Sequence, residues 1–574
     1  MNDKSLGLAM HSRACRSSTE AGRLIELAHE SVNRRLPYSW TKTEQFILDK
    51  FFTNTNRRAF FVIGLPSTMG GQFFTMCAEV KNNRGMRGVF VDRFFPILLS
   101  TLVEECVKDF DSDGEAFLNS QKIHTLDQFI AYSDQTRVAY QTFTESTGDY
   151  RFFRKLAASA RLKKHLHNSH KLMGQFLIGF DGVSLLTAQS LLRSRVGFGS
   201  DHADMQLSQL FPEFSGRDRY PIELELEILG VDPKTIIHLL DGSFDLYYKW
   251  RGKQNDGPFP DFLRKRYKKY VDKDDLERGV IGESYNVLSA FVPACLYTSF
   301  GIPVKENEFS DLLRALLADE MPEGVALVDM LNEEAATLGY SLDAHLDSSL
   351  WSQFGNKYLS SSGFEEKDFI SDSDQVIRML GYSSAPQNTS AWARVLEGLL
   401  SQRREWDLLP ANFRTIEVGV GRLMSFGAWC AVQRSPFNLS ERTALIPHVR
   451  FYSYEKPAPD DLDKDFLELH GHNLEIASLL KKKDVPINLQ QYVMALGNLI
   501  GCQAWGDLRL WEDLVYHGTK FSVSAEIRKF FLGCGNLICN TYPWIKPFFR
   551  YDRTSSYLFS HTVKPVEIPK IDEK

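Results

Sequence analysis

Four groups of residues in this sequence have side chains that could do chemistry, and their spacing limits what each can do. His165, His167 and His170 suggest a metal, but at i, i+2 and i+5 on a helix the three rings spread around the axis instead of converging. They are expected to be surface histidines. His470-Gly471-His472 offers a second imidazole pair, yet spacing fixes no partner carboxylate beside it, so a loop or helix cap is the expected setting. Cys534 and Cys539 are the near neighbours among eight scattered cysteines, and a zinc site would need a second ligand pair. Reduced, mostly buried thiols are expected instead. Glu223, Glu225 and Glu227 alternate at period two, which suits carboxylates along one side of an exposed strand better than an acid/base pair.

Complete catalytic motifs are missing from the sequence. It holds no GxxxxGK[ST] phosphate loop and no GxGxxG; the stretch from Gly64 to Gly71 lacks both the lysine and the spacing. HExxH, G-x-S-x-G and EF-hand patterns are absent as well. Residues 150–176 form a basic amphipathic pattern, with Arg154, Lys155, Arg161, Lys163 and Lys164 between apolar positions. A solvated face and an anion-binding face both fit that pattern.

The elements that must position any site follow from texture. Residues 18–52 read as two helices, Ala59 to Pro66 as a buried strand, and Val89 to Pro96 as a second strand. Ile178 to Leu192 reads strand, turn, helix. A helix over 390–403, a strand over 413–420 and a helix over 426–434 repeat that texture later in the chain. Stretches 254–267 and 361–381 are polar and read as linkers, while 447–465 reads as an exposed loop. At 574 residues one core is too small a solution. The expected fold is α+β, a duplicated α+β domain with a helical middle: 1–230 first copy, 231–370 helical middle, 371–574 second copy.

Composition narrows the function classes. Hydrophobic residues at 43% and charged residues at 24% are ordinary globular usage, so the chain is expected to fold. The 41 phenylalanines favour thick cores or an aromatic-lined pocket. A net charge of −6 opposes bulk-charge binding of nucleic acid, although a local basic patch stays open. No segment approaches the length of a membrane span, and Met1 to Ser5 opens no signal-like apolar run, so a cytoplasmic protein is expected.

One stretch carries a family resemblance. Phe426-Gly427-Ala428-Trp429-Cys430-Ala431-Val432-Gln433-Arg434-Ser435, followed by Asn438-Leu439-Ser440-Glu441-Arg442, resembles a helix and nucleotide loop of the flavin-dependent thymidylate synthases, including their two-copy bacterial forms. Leu496 to Arg509, followed by Ser524-Ala525-Glu526-Ile527-Arg528, is similar to the closing helix pair of that family. The resemblance implies a pyrimidine nucleotide as ligand and FAD as cofactor. It gives Arg434, Ser440 and Arg442 to the cofactor or nucleotide phosphate, and Arg509 and Arg528 to the substrate. Guanidinium groups would supply forked, charge-assisted hydrogen bonds, and the flavin would supply the hydride chemistry behind methyl transfer.

A second reading stays open. Where the family has Arg-His-Arg, this chain has Arg434-Ser435-Pro436. A non-enzymatic interaction or scaffold protein that retains the fold, and forms a homo-oligomer through exposed aromatics, fits the same sequence.

Overall fold

The structure, a computed structural model, describes residues 18–95, 175–193, 219–337, 377–382 and 403–567, with short gaps inside these stretches. The fold is α+β, helices packed on two antiparallel sheets. Helix α1 (Ser18–Asn33) and helix α2 (Lys42–Phe51) stand where the helical spacing put them. A capping box starts α2: Thr41 Oγ1 accepts from Glu44 N at 3.2 Å, and Glu44 Oε2 accepts from Thr41 N at 2.8 Å. Strand β1 (Ala59–Phe61) pairs with β2 (Gln175–Ser184), which pairs with β3 (Tyr297–Lys305). The second sheet takes β4 (Arg378–Tyr382), β5 (Glu417–Ser425), β6 (Leu439–Arg442) and β7 (Leu499–Asp507) in the order β4-β5-β7-β6.

The two sheets repeat one construction. In each, a central strand ends on a serine, Ser184 or Ser425, and runs directly into a helix. The amides that open the helices take equivalent acceptors: Leu185 N reaches Leu296 O at 2.8 Å, and Phe426 N reaches Asn498 O at 3.1 Å. The segments that lead into β3 and β7 then cross each other. Ala294 N donates to Met494 O at 3.0 Å and Leu496 N donates to Val292 O at 2.8 Å, a reciprocal pair that relates the halves by a local two-fold. Since these backbone groups are buried, satisfying each other is what lets the halves meet.

Several elements differ from the sequence reading. Val89 to Phe95, the described part of the expected second strand, is not a strand: helix α3 (Gly85–Val89) continues into a π-helical turn at Phe90–Phe94, whose rings pack on Phe51, Phe52 and Phe73. A short apolar run has no period that separates buried strand from buried helix. After α4 (Leu185–Arg193), residues 223–227 lie in helix α5 (Ile222–Ile228), with Ile222, Leu226 and Glu225 buried. The period-two carboxylates also match a helix whose Ile222 and Leu226 are four apart.

The middle stretch is helical in α6 (Pro233–Arg251), α7 (Pro258–Tyr267), α8 (Lys273–Leu288) and α9 (Pro322–Thr337), but it also supplies β3 to the first sheet. Its expected linker at 254–267 is largely α7, which buries Phe259, Leu263 and Tyr267. Helix α10 (Phe426–Val432) follows β5 as expected, whereas β5 itself begins at Glu417 after a 3-10 turn over Ala411–Thr415. Residues 447–465 are no free loop: Phe451 and Tyr454 are buried and helix α11 (Asp460–Lys482) starts within them. The stretch read as a closing helix pair is strand β7 followed by helix α12 (Leu508–Gly518) and helix α13 (Ala525–Thr541). The expected helix over 390–403 and the basic helix before Gln175 lie outside the described residues, Arg403 apart.

Candidate functional face of the second sheet

Strand β5 presents Val418, Val420, Arg422 and Met424 to one side by its period of two, and the three apolar members enter the main core. Arg422 therefore sits on a core-facing side of the sheet. Register places it opposite Cys502 of β7, which lies opposite Arg442 of β6. Directly opposed residues share a face, so a guanidinium, a thiol and a second guanidinium form one row across three strands.

The N-terminus of α13 closes one end of this row. Glu526 Oε1 accepts from Ser425 N at 2.8 Å and its Oε2 accepts from Ser425 Oγ at 2.7 Å, while Ser425 Oγ accepts from Ala428 N at 3.1 Å and so caps α10. Burial raises the Glu526 carboxyl above the usual range, and the hydrogen bonds from Ser425 and the charge of Arg422 pull it back. The first half has the same clasp. Ser184 N donates to Glu323 Oε1 at 2.9 Å, Ser184 Oγ donates to Oε2, and Ser184 Oγ accepts from Thr187 N at 3.1 Å. Glu323 and Glu526 each stand second in their helices, where the dipole favours a carboxylate.

Against this repetition one position differs in kind. Tyr297 and Leu499 are the equivalent partners of Ser184 and Ser425, so Phe300 in β3 corresponds to Cys502 in β7. Phe300 faces Phe180, and their rings stack at 4.8 Å with 14° between planes. The second half instead sets Arg422 beside Cys502. Arg422 is 7% exposed, its Nε makes no hydrogen bond, and among the described residues none forms an ion pair with it. A guanidinium where the same scaffold manages with two rings is costly to bury unless something accepts from it. Burial pushes the Cys502 thiol well above its ordinary value, against the pull of Arg442 and Arg422.

Of the residues given by the family resemblance, Ser440 and Arg442 stand on β6, Arg509 on α12 and Arg528 on α13. Arg434 lies outside the described residues. Ser440 stands on β6 opposite Ala504. Arg442 is buried, donates from Nη1 to Thr443 O at 2.9 Å and to Gln491 Oε1 at 2.8 Å, and lies 4.9 Å from the centre of the Phe426 ring. Arg509 opens α12, half-buried, with its Nε unbonded. Arg528 is buried on α13; its Nε donates to Thr519 O at 2.8 Å and its Nη2 to Thr554 O, with the Tyr557 ring 4.5 Å away. Arg442 and Arg528 share no partner in these bonds, and each ties down the chain's own carbonyls. Arg442 so held does not fit a flavin phosphate, and no step through flavin follows from these residues.

Arg422 escaped the sequence reading because its significance is relational. The one available signal was a lone charge inside the apolar run Val418-Gly419-Val420-Gly421-Arg422-Leu423-Met424. His470-Gly471-His472, expected in a loop or cap, is in mid-helix in α11; His470 is buried with Nδ1 3.3 Å from Asn498 Oδ1. Among the described residues no group of three metal-capable side chains forms. Among them, too, no helix is long and apolar enough to cross a membrane. The fold and this face define an internally repeated α+β protein with a buried arginine on its second sheet. No protein-family model matches the chain, and no curated protein matches it.

Proposed function

We propose that the chain is a divergent relative of the flavin-dependent thymidylate synthases that binds a pyrimidine nucleotide on the second sheet. The observation that carries this reading is the exchange of a stacked Phe180–Phe300 pair for Arg422 and Cys502 at the same place in the repeat. A phosphate or imide oxygen would give the Arg422 Nε the acceptor it lacks, and forked N–H groups suit such oxygens. The reading includes binding and no catalytic step, because Arg442 and Arg528 hold carbonyls of the chain. Titration calorimetry with deoxyuridine monophosphate, on the wild type and on Arg422→Met, tests it.

The second reading, an interaction protein that keeps the fold without a site, is favoured by that same engagement of Arg442 and Arg528. It gains if the purified protein binds neither nucleotide nor flavin and elutes as a defined oligomer.

A further inference from the structure

Helix α11 spans 23 residues, about 35 Å at 1.5 Å per residue. It buries Leu462, Phe466, Leu469, Ile476 and Leu480 in the protein. On the opposite side it exposes two leucines, Leu467 at 68% and Leu474 at 37%. Between them lies Gly471, where an added Cβ would meet nothing within 4 Å. Positions 467, 471, 474 and 478 follow the i, i+4, i+7, i+11 spacing of one stripe, so the leucines and the glycine form a continuous seam.

The ends of that seam have opposite charge. Asp460, Asp461 and Asp463 occupy the first turn, and Lys481 and Lys482 the last. We infer that this face docks a second copy of the same chain, α11 against α11, antiparallel. A two-fold axis passing between His470 and Gly471 sets Leu467 against the partner's Leu474, and by the same symmetry sets Asp460 against the partner's Lys481. Each leucine then finds an apolar neighbour beside a glycine that admits close approach, and each acidic end meets a basic one. A parallel pair would oppose aspartates to aspartates. Antiparallel dipoles add to the preference.

Exposed leucines that stand singly need no explanation. Here the apolar pair, the open glycine and the charge order all obey one symmetry operation. A single helix pair offers less than the roughly 1,200–2,000 Å² of a standard interface, so the association is weak and depends on concentration and salt. It is independent of the nucleotide reading and needs no ligand.

Sedimentation velocity on the full chain, without ligand and over a range of protein and salt concentrations, tests the pairing. The wild type should show a reversible monomer–dimer equilibrium that weakens in high salt. Leu467→Glu with Leu474→Glu should weaken dimerisation by about tenfold or more, with the circular dichroism of the folded chain unchanged. A variant with Asp460, Asp461 and Asp463 changed to Lys should be monomeric, as should one with Lys481 and Lys482 changed to Asp. Mixed together, those two should form a heterodimer. A wild type that stays monomeric at every concentration, or a dimer indifferent to the leucine changes, overturns the inference.

Discussion

Tyr492, from the second half of the chain, donates its phenol to Glu323 of the first half at 3.2 Å. The same Oε2 accepts from Thr187 Oγ1 at 2.7 Å and from Ser184 Oγ, so this carboxylate clasps its own helix and latches the two halves together. Among the described residues Glu526 accepts from Ser425 alone. Glu323→Ala should therefore cost more stability, about 3 kcal/mol or above, than Glu526→Ala at about 1–2 kcal/mol, since each orphaned buried donor adds its desolvation cost. Urea unfolding of both variants checks the order. In a double-mutant cycle with Tyr492→Phe, only Glu323→Ala should show coupling.

Close to that latch lies a carboxyl that sets a pH dependence. Glu225 is buried, accepts from Tyr220 OH on Oε1, and has no partner on Oε2; Tyr220 in turn stacks on Tyr492 at 5.1 Å. Burial pushes the Glu225 carboxyl up to about 8, the charge of Glu323 adds to this, and the Tyr220 hydrogen bond opposes it. The folded chain thus keeps a proton that the unfolded chain loses near 4.5. The stability from this group is complete below about 4.5 and is lost as pH rises through about 8. Unfolding free energies from urea titrations across that window should fall with pH, on the order of a few kcal/mol in total. Glu225→Gln should flatten the fall.

Arg528 serves the C-terminal segment. Its Nε and Nη2 donate to Thr519 O and Thr554 O, and Asp552 lies 3.9 Å away. Arg528→Ala should destabilise by about 1–3 kcal/mol and speed hydrogen exchange in residues 551–558, while leaving nucleotide affinity unchanged. A selective loss of nucleotide binding in a fully stable variant would return Arg528 to the ligand.

Arg422→Met replaces a buried charge by a shorter apolar chain that ends about where Nε sits. If a ligand supplies the missing acceptor, the ligand-free variant should be as stable as the wild type or more so, because burying an apolar chain there costs less than burying a guanidinium. Thermal unfolding decides this. A loss of about 3 kcal/mol or more would make Arg422 the structural counter-charge of Glu526.

What could be read from the sequence was what repeats locally. Strand β2 running into α4, the helix after Ser425 and the pair α1 and α2 all followed from apolar period and turn residues. What could not be read depends on distance along the chain. Ser184 and Glu323 meet across 139 positions, and neither has a neighbour in sequence that announces the other. Strand β3 escaped because Tyr297 to Lys305 sits among helices, and its partner β2 lies far upstream. Arg422 is the sharpest case. In the sequence it is one arginine in an apolar run, and it gains meaning once register sets it beside Cys502 and the repeat sets it against Phe180.

Calorimetric titration of the purified chain with deoxyuridine monophosphate, side by side with Arg422→Met and Arg442→Ala, decides whether Arg422 holds a nucleotide. Saturable binding to the wild type is expected, with binding reduced about tenfold or more in Arg422→Met and near normal in any Arg442→Ala protein that remains folded. Equal affinity in the wild type and Arg422→Met, or no heat from the wild type at all, would contradict that role.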